Sequence, residues 1–207
     1  MPGTFRLCYI TDRQRLPSAP LELRVQEAIR AGVDLVQIRE KDLPARELEL
    51  LARDAARTVR ETRNAERETR LLINSRSDVA LATGADGVHL PSDDIPASDA
   101  RAVWLSRNVI IAVSCHTAEE VRLAEAEGAD FAVFGPVFEK VGTSLSVGLD
   151  ALHGACLGPM PVLAIGGVTL DNARACVAAG AAGVAAIRLF QENDIASVVK
   201  KLRKAAG

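Results

Sequence analysis

A chain of 207 residues, 48% of them hydrophobic, is long enough to bury a substantial core as one domain spanning 1–207. Its 25 basic and 27 acidic residues leave a net charge of −2, which excludes the basic footprint of a nucleic-acid binder. No uncharged apolar stretch reaches the roughly 18 residues that a membrane span needs. The start, Met1-Pro2-Gly3-Thr4, lacks the basic segment of a signal peptide. Cys8, Cys115, Cys156 and Cys176 form no Cys-x-x-Cys pair, so they read as reduced thiols of a cytoplasmic protein. Three widely separated histidines do not have zinc-site spacing.

In chain order, short apolar or β-branched runs alternate with longer helical patterns. The runs predict strands at Phe5–Ile10, Val33–Ile38, Arg70–Asn74, Gly87–Leu90, Val109–Val113, Asp130–Phe134, Pro161–Ile165 and Gly183–Ile187. Helical periodicity occupies 21–31, 44–62, 76–83, 96–106, 117–127, 148–157, 169–179 and 193–205. The charged run Glu61–Arg70 reads as a solvated helix end and loop. Eight strand–helix units imply parallel strands, and on so short a chain they imply one closed (β/α)8 TIM barrel. A doubly wound open sheet is the alternative, but no Gly-x-Gly-x-x-Gly follows the first strand. One joint recurs four times: Ala31-Gly32-Val33-Asp34, Gly84-Ala85-Asp86-Gly87, Gly128-Ala129-Asp130 and Gly180-Ala181-Ala182-Gly183. Each glycine is placed to close a helix in the left-handed conformation.

Polar residues collect where the strands end, the rim on which barrel active sites are built. They are Thr11-Asp12, Gln37 to Lys41, Asn74-Ser75-Arg76, His89 with Asp93-Asp94, Ser114-Cys115-His116, Gly166-Gly167 and Arg188. Gln37, Arg39 and Lys41 alternate, so a continuing extended chain aims all three one way, suiting phosphate or diphosphate oxygens. The alternative is a surface ion pair of Arg39 or Lys41 with Glu40 or Asp42. Gly166, Gly167 and the Gly183–Arg188 segment match the position of a barrel phosphate site. Asp93 and Asp94 are candidate Mg²⁺ ligands, with a solvated acidic loop as the alternative. His89 and His116 are acid–base candidates by their ordinary pKa, His89 alternatively a buried, satisfied imidazole. His116 alternatively opens the fifth helix beside the capping hydroxyl of Thr117.

The runs Cys8-Tyr9-Ile10-Thr11-Asp12, Val36-Gln37-Ile38-Arg39-Glu40-Lys41, Ile73-Asn74, Asp86-Gly87-Val88-His89-Leu90, Val113-Ser114, Phe134-Gly135-Pro136-Val137-Phe138 and Ala164-Ile165-Gly166-Gly167 resemble, in that order, the thiamin phosphate synthases. They are also similar to the thiazole tautomerases called TenI. The resemblance implies a Mg²⁺-assisted condensation of hydroxymethylpyrimidine diphosphate with thiazole phosphate, releasing pyrophosphate. It would place Gln37, Arg39, Lys41 and Asn74 on the pyrimidine and its diphosphate, with His89 and Ser114 beside them and Asp94 on the metal. Gly166, Gly167, Ile187 and Arg188 would hold the thiazole phosphate.

Four departures qualify the match. Ser75 replaces the second metal carboxylate, with Asp93 as a candidate substitute. Thr143 stands where a pyrophosphate-binding lysine is expected, with Lys140 nearby to compensate. Pro91-Ser92 and Arg188 differ from the usual synthase residues. A tautomerase would need no metal and would move a proton on thiazole carboxylate phosphate through His116. A non-catalytic binder of thiazole or thiamin phosphate is the third reading. All three expect small phosphorylated ligands and allow assembly as a homo-oligomer.

Overall fold

The computed structural model describes residues 6–16, 20–62, 68–104, 108–139 and 146–206. Its parallel strands are β1 (Arg6–Ile10), β2 (Leu35–Ile38), β3 (Arg70–Asn74), β4 (Gly87–Leu90), β5 (Ile110–Cys115), β6 (Phe131–Phe134), β7 (Val162–Ile165) and β8 (Gly183–Ala186). Each pairs with its sequence neighbours, and β8 pairs with β1 to close the ring, so the chain folds as the expected (β/α)8 barrel. Around it lie α1 (Leu21–Ala31), α2 (Ala45–Thr62), α3 (Ser77–Thr83), α4 (Ala97–Val103), α5 (Ala118–Ala126), α6 (Gly148–Ala155), α7 (Ala173–Ala178), α8 (Arg188–Gln191) and α9 (Ile195–Ala206).

The repeated joint has a mechanical explanation. Gly32, Gly84, Gly128 and Gly180 all have positive φ, between 68° and 99°. The next amide reaches back to the helix: Val33, Ala85, Ala129 and Ala181 donate to the carbonyls of Ala28, Ala80, Ala124 and Cys176 at 2.9–3.2 Å. The aspartate that follows then clasps the preceding strand. Asp34 donates its amide to Leu7 O and accepts Leu7 N on Oδ2; Asp86 does the same with Leu71, and Asp130 with Ile111. At the fourth joint Ala182 keeps only the backbone half of the clasp, to Val162 O. The repeat is therefore a two-strand unit that sets the register of every even-numbered strand.

Three differences from the sequence-based expectation matter for the site. Strand β5 runs on to Cys115, so Ser114 is a strand residue rather than a loop residue. Helix α7 starts at Ala173 instead of 169, because Thr169 N bonds Asn172 Oδ1 (2.7 Å) and Asn172 N bonds Thr169 Oγ1 (3.3 Å). These side chains satisfy the backbone locally in place of helical bonds. Helix α8, only four residues long, is an element the sequence pattern does not show.

Alternate strand residues divide the core. Cys8, Leu35, Leu72, Ala112, Phe131, Val133, Leu163 and Ala185 fill the barrel interior. Leu7, Tyr9, Val36, Ile38, Leu71, Ile73, Phe134 and Val184 pack outward against the helices. Cys8, Cys115 and Cys176 are buried and all four thiols are free. Toward the C-terminal rim the inward row changes character around the ring. On β2 to β5 it becomes polar, with Gln37, Asn74, His89 and Ser114; on β6, β7, β8 and β1 it stays apolar, with Val133, Ile165, Ala185 and Ile10.

Candidate active site

The rim opens into a cavity of about 500 Å³ lined by both halves of this row. The polar half is one connected array. Gln37 donates from Nε2 to Asn74 Oδ1 at 2.9 Å, which turns Gln37 Oε1 toward His89. His89 Nδ1–H donates to that oxygen at 2.5 Å, so its Nε2 accepts the Ser114 hydroxyl at 3.0 Å. The array leaves the Asn74 amide NH2 and the Ser114 oxygen lone pairs for a ligand.

Of the two readings of His89, its burial and its two hydrogen bonds match the buried, satisfied imidazole. Burial, with the positive charge of Arg39 adding to it, pushes this imidazole down from 6.5 to about 4. It is a neutral spacer that fixes the orientation of Gln37 and Ser114. Below pH 6.5 the unfolded chain takes up a proton that the folded ring refuses until about pH 4. This ring therefore costs the folded state roughly 3 kcal/mol across that window. The variant His89→Gln should lose that much less stability than the parent between pH 6.5 and 4, measured by urea unfolding. Equal acid sensitivity of the two proteins would show that the ring is charged in the folded state.

Arg39 and Lys41 part company. Arg39 follows β2, is half-buried and lines the main cavity; its amide donates to Thr11 Oγ1 at 2.9 Å. Thr11 in turn donates to Glu40 Oε1 at 2.6 Å, and Arg13 N donates to Glu40 Oε2 at 3.0 Å. Glu40 is buried, and burial is the main influence raising its pKa. Because β2 ends at Ile38 and the chain turns at 41–43, Lys41 does not continue the extended row. It lines a second cleft of about 370 Å³, shared with Asn74, Ser75, Arg76 and Asp93. The surface ion pair considered for these cations is made instead by Arg13, with Asp42 and Glu40.

Beside the second cleft, Ser75 Oγ donates to Asp94 Oδ2 at 2.7 Å, while Asp94 Oδ1 accepts Ile95 N. Asp93 is exposed. Among the described residues no three His, Cys, Asp or Glu side chains converge as a metal cage.

Across the ring from β3 and β4, the loops after β7 and β8 bring Gly166, Gly167, Ile187 and Arg188 to the cavity. Among the described residues the amides of Gly167, Ile187 and Arg188 have no acceptor. Gly166 and Gly167 have φ of 93° and 65°. A Cβ on Gly166 would stand 2.5 Å from Pro136 Cα, and one on Gly167 2.8 Å from Glu139 O, so only glycine fits.

His116 lines the cavity as well. Its Nδ1–H donates to Gly135 O at 2.5 Å, which leaves Nε2 as the lone-pair nitrogen. It also precedes α5 as anticipated, where Thr117 Oγ1 caps Glu120 N at 3.1 Å and Glu120 accepts His116 N. Lys140 and Thr143 lie outside the described residues. Asp12 and Arg76, placed on the rim by the sequence, line the main cavity and the second cleft respectively, and the structure adds Arg15, paired with Asp12 at 3.0 Å. Arg15 lies in a three-residue 3₁₀ turn, which carries no periodic signal.

A family model described as thiamine monophosphate synthase matches residues 7–190. A Geobacter sulfurreducens protein named "Putative thiamine-phosphate synthase" is 46% identical over 187 residues, covering 88% of this chain and 85% of that protein. The "Thiamine-phosphate synthase" of Chlorobium phaeovibrioides is 40% identical over 190 residues, covering 90% and 86%. Among solved structures, the thiamine phosphate pyrophosphorylase from Pyrococcus furiosus superposes with a TM-score of 0.84 at 34% identity, covering 98% of this chain and 95% of that one. A match spanning the barrel from β1 to α8, at these identities, makes this chain a member of the thiamine monophosphate synthase family.

Proposed function

We propose that the protein is a thiamin phosphate synthase, joining hydroxymethylpyrimidine diphosphate to thiazole phosphate with release of pyrophosphate. The observation that carries this reading is the Asn74–Gln37–His89–Ser114 array facing the Gly166-Gly167 loop across one cavity. An aminopyrimidine has ring nitrogens that accept and an amino group that donates. The Asn74 amide and the Ser114 oxygen match those needs, with the neutral His89 holding Ser114 directly and Asn74 through Gln37.

The diphosphate then extends past Asn74 toward Arg39 and into the second cleft, where Lys41 and Arg76 supply cations. In the reaction the methylene C–O bond breaks with its electron pair going to the diphosphate. The thiazole nitrogen donates its own pair to the methylene carbon. Arg39 stabilises the charge that builds on the leaving oxygens. The apolar half of the floor, Val133, Ile165 and Ala185, keeps water from the electron-poor methylene. Gly167 and Arg188 anchor the thiazole phosphate, so that its nitrogen meets the methylene at a fixed distance.

Asp94 and the Ser75 hydroxyl are hard oxygen donors 2.7 Å apart, with Asp93 in the adjoining cleft. They fit a Mg²⁺ that takes its remaining ligands from water and substrate phosphate. Such an ion would neutralise charge on the departing diphosphate. Pyrophosphate release from the two precursors tests the whole reading. One observation favours the tautomerase alternative: the free Nε2 of His116 is a base at the cavity wall, as proton transfer on the thiazole would require.

A further inference from the structure

We infer that Arg24, on the outer helix α1 and outside the cavity, is a positioning residue that holds Arg188 at the thiazole phosphate. The inference rests on the assignment of that phosphate to Gly167 and Arg188. Helix α8 carries Arg188 at its first position, and with four residues it is too short to hold itself in place. Its terminal carbonyls are among those that a helix leaves without internal partners.

Arg24 meets that need across 166 residues of sequence. Its Nη2 donates to Phe190 O at 2.6 Å, Gln191 O at 3.0 Å and Asn193 O at 2.7 Å. Its Nη1 is braced by Glu27 Oε2 at 2.6 Å, one turn further along α1, and the side chain is only 14% exposed. A cation at this end of a helix also meets the partial negative charge of the carbonyls. Two further contacts tie the same segment to β1 and the residues just after it. Gln191 Nε2 donates to Asp12 O at 2.8 Å, and the Phe190 ring lies against Tyr9 at 5.8 Å.

The contacts of Arg24 grip α8 from outside the cavity. Arg188 itself has no ion-pair partner among the described residues, so its place at the cavity depends on where the backbone of α8 sits. Releasing Arg24 frees that backbone to shift, and a shift of about 1 Å in a positioning group suffices for large losses.

The test compares the parent protein with Arg24→Ala and Arg24→Lys. Isothermal titration with thiazole phosphate should show binding weakened about tenfold in Arg24→Ala, with pyrimidine diphosphate binding changed by less than about twofold. Arg24→Lys, which keeps one charged donor, should recover part of the loss, and it carries the comparison if Arg24→Ala does not fold. Hydrogen exchange without ligand should be faster over 187–193 in the variants and unchanged in α5. Unchanged exchange at 187–193, or equal weakening toward both ligands, would overturn the inference. If the parent binds no thiazole phosphate, the phosphate assignment fails, and the exchange result alone still decides whether Arg24 holds α8.

Discussion

Replacing Arg39 with alanine should lower kcat/KM for the pyrimidine diphosphate by roughly 10²–10³-fold, the usual loss on removing a group aimed at charge that develops in the transition state. Thiazole phosphate binding should stay as it is. The asymmetry follows from placement. Arg39 is half-buried, its amide is pinned by Thr11, and Thr11 is held by the buried Glu40. The guanidinium thus enters the cavity from a backbone already fixed before substrate arrives, and little ordering is lost on binding. Arg188, the arginine assigned to the thiazole phosphate, follows β8 two strands away, with β1 between. Steady-state kinetics with each substrate varied in turn, together with titration of each ligand alone, measure the effect. Equal losses for both ligands would mean that the two anionic groups do not occupy separate ends of the cavity.

The second large effect belongs to Gly166→Ala. The left-handed backbone at φ 93° costs a side-chain-bearing residue about 1–2 kcal/mol. The added carbon also falls 2.5 Å from Pro136 Cα and Cβ, so the backbone of a packed loop must move, at a further cost of about 1–3 kcal/mol. That loop is not free to move cheaply, since Val137 N and Phe138 N bond Ile165 O and Gly166 O at 2.8 and 3.0 Å. The variant should therefore lose roughly 2–5 kcal/mol of unfolding free energy and its affinity for thiazole phosphate together. Gly154→Ala is the matched control. It sits within α6 with open space around the new carbon, so it should gain about 0.5–1 kcal/mol and leave activity unchanged. Denaturant unfolding of both proteins checks the contrast. A Gly166→Ala protein as stable as the parent would show that the loop after β6 yields easily.

The barrel was legible in the sequence because its repeating parts are local. A glycine, a small residue and an aspartate before β2, β4 and β6 are contiguous, and each performs the same clasp in the fold. Gln37, Asn74, His89 and Ser114 were also legible, since a polar residue at the inward end of a strand stands out against an apolar row. What stayed hidden depends on where the regular pattern stops. Lys41 follows Arg39 by two residues, yet the chain has turned by then and delivers it to a different cleft. The low pKa of His89 needs the burial that only the closed barrel supplies. Helix α8 has four residues, barely one helical turn and too few to repeat a pattern, and the arginine that holds it comes from α1.

Pyrophosphate release from hydroxymethylpyrimidine diphosphate and thiazole phosphate, with and without Mg²⁺, tests the central claim most directly. The account predicts release that requires both precursors, is strengthened by Mg²⁺, and yields thiamin phosphate in equal amount. It also predicts that Arg39→Ala abolishes most of that release. No release above the hydrolysis background, together with proton exchange on thiazole carboxylate phosphate that disappears in His116→Ala, would contradict the synthase reading and identify the cavity as a tautomerase site.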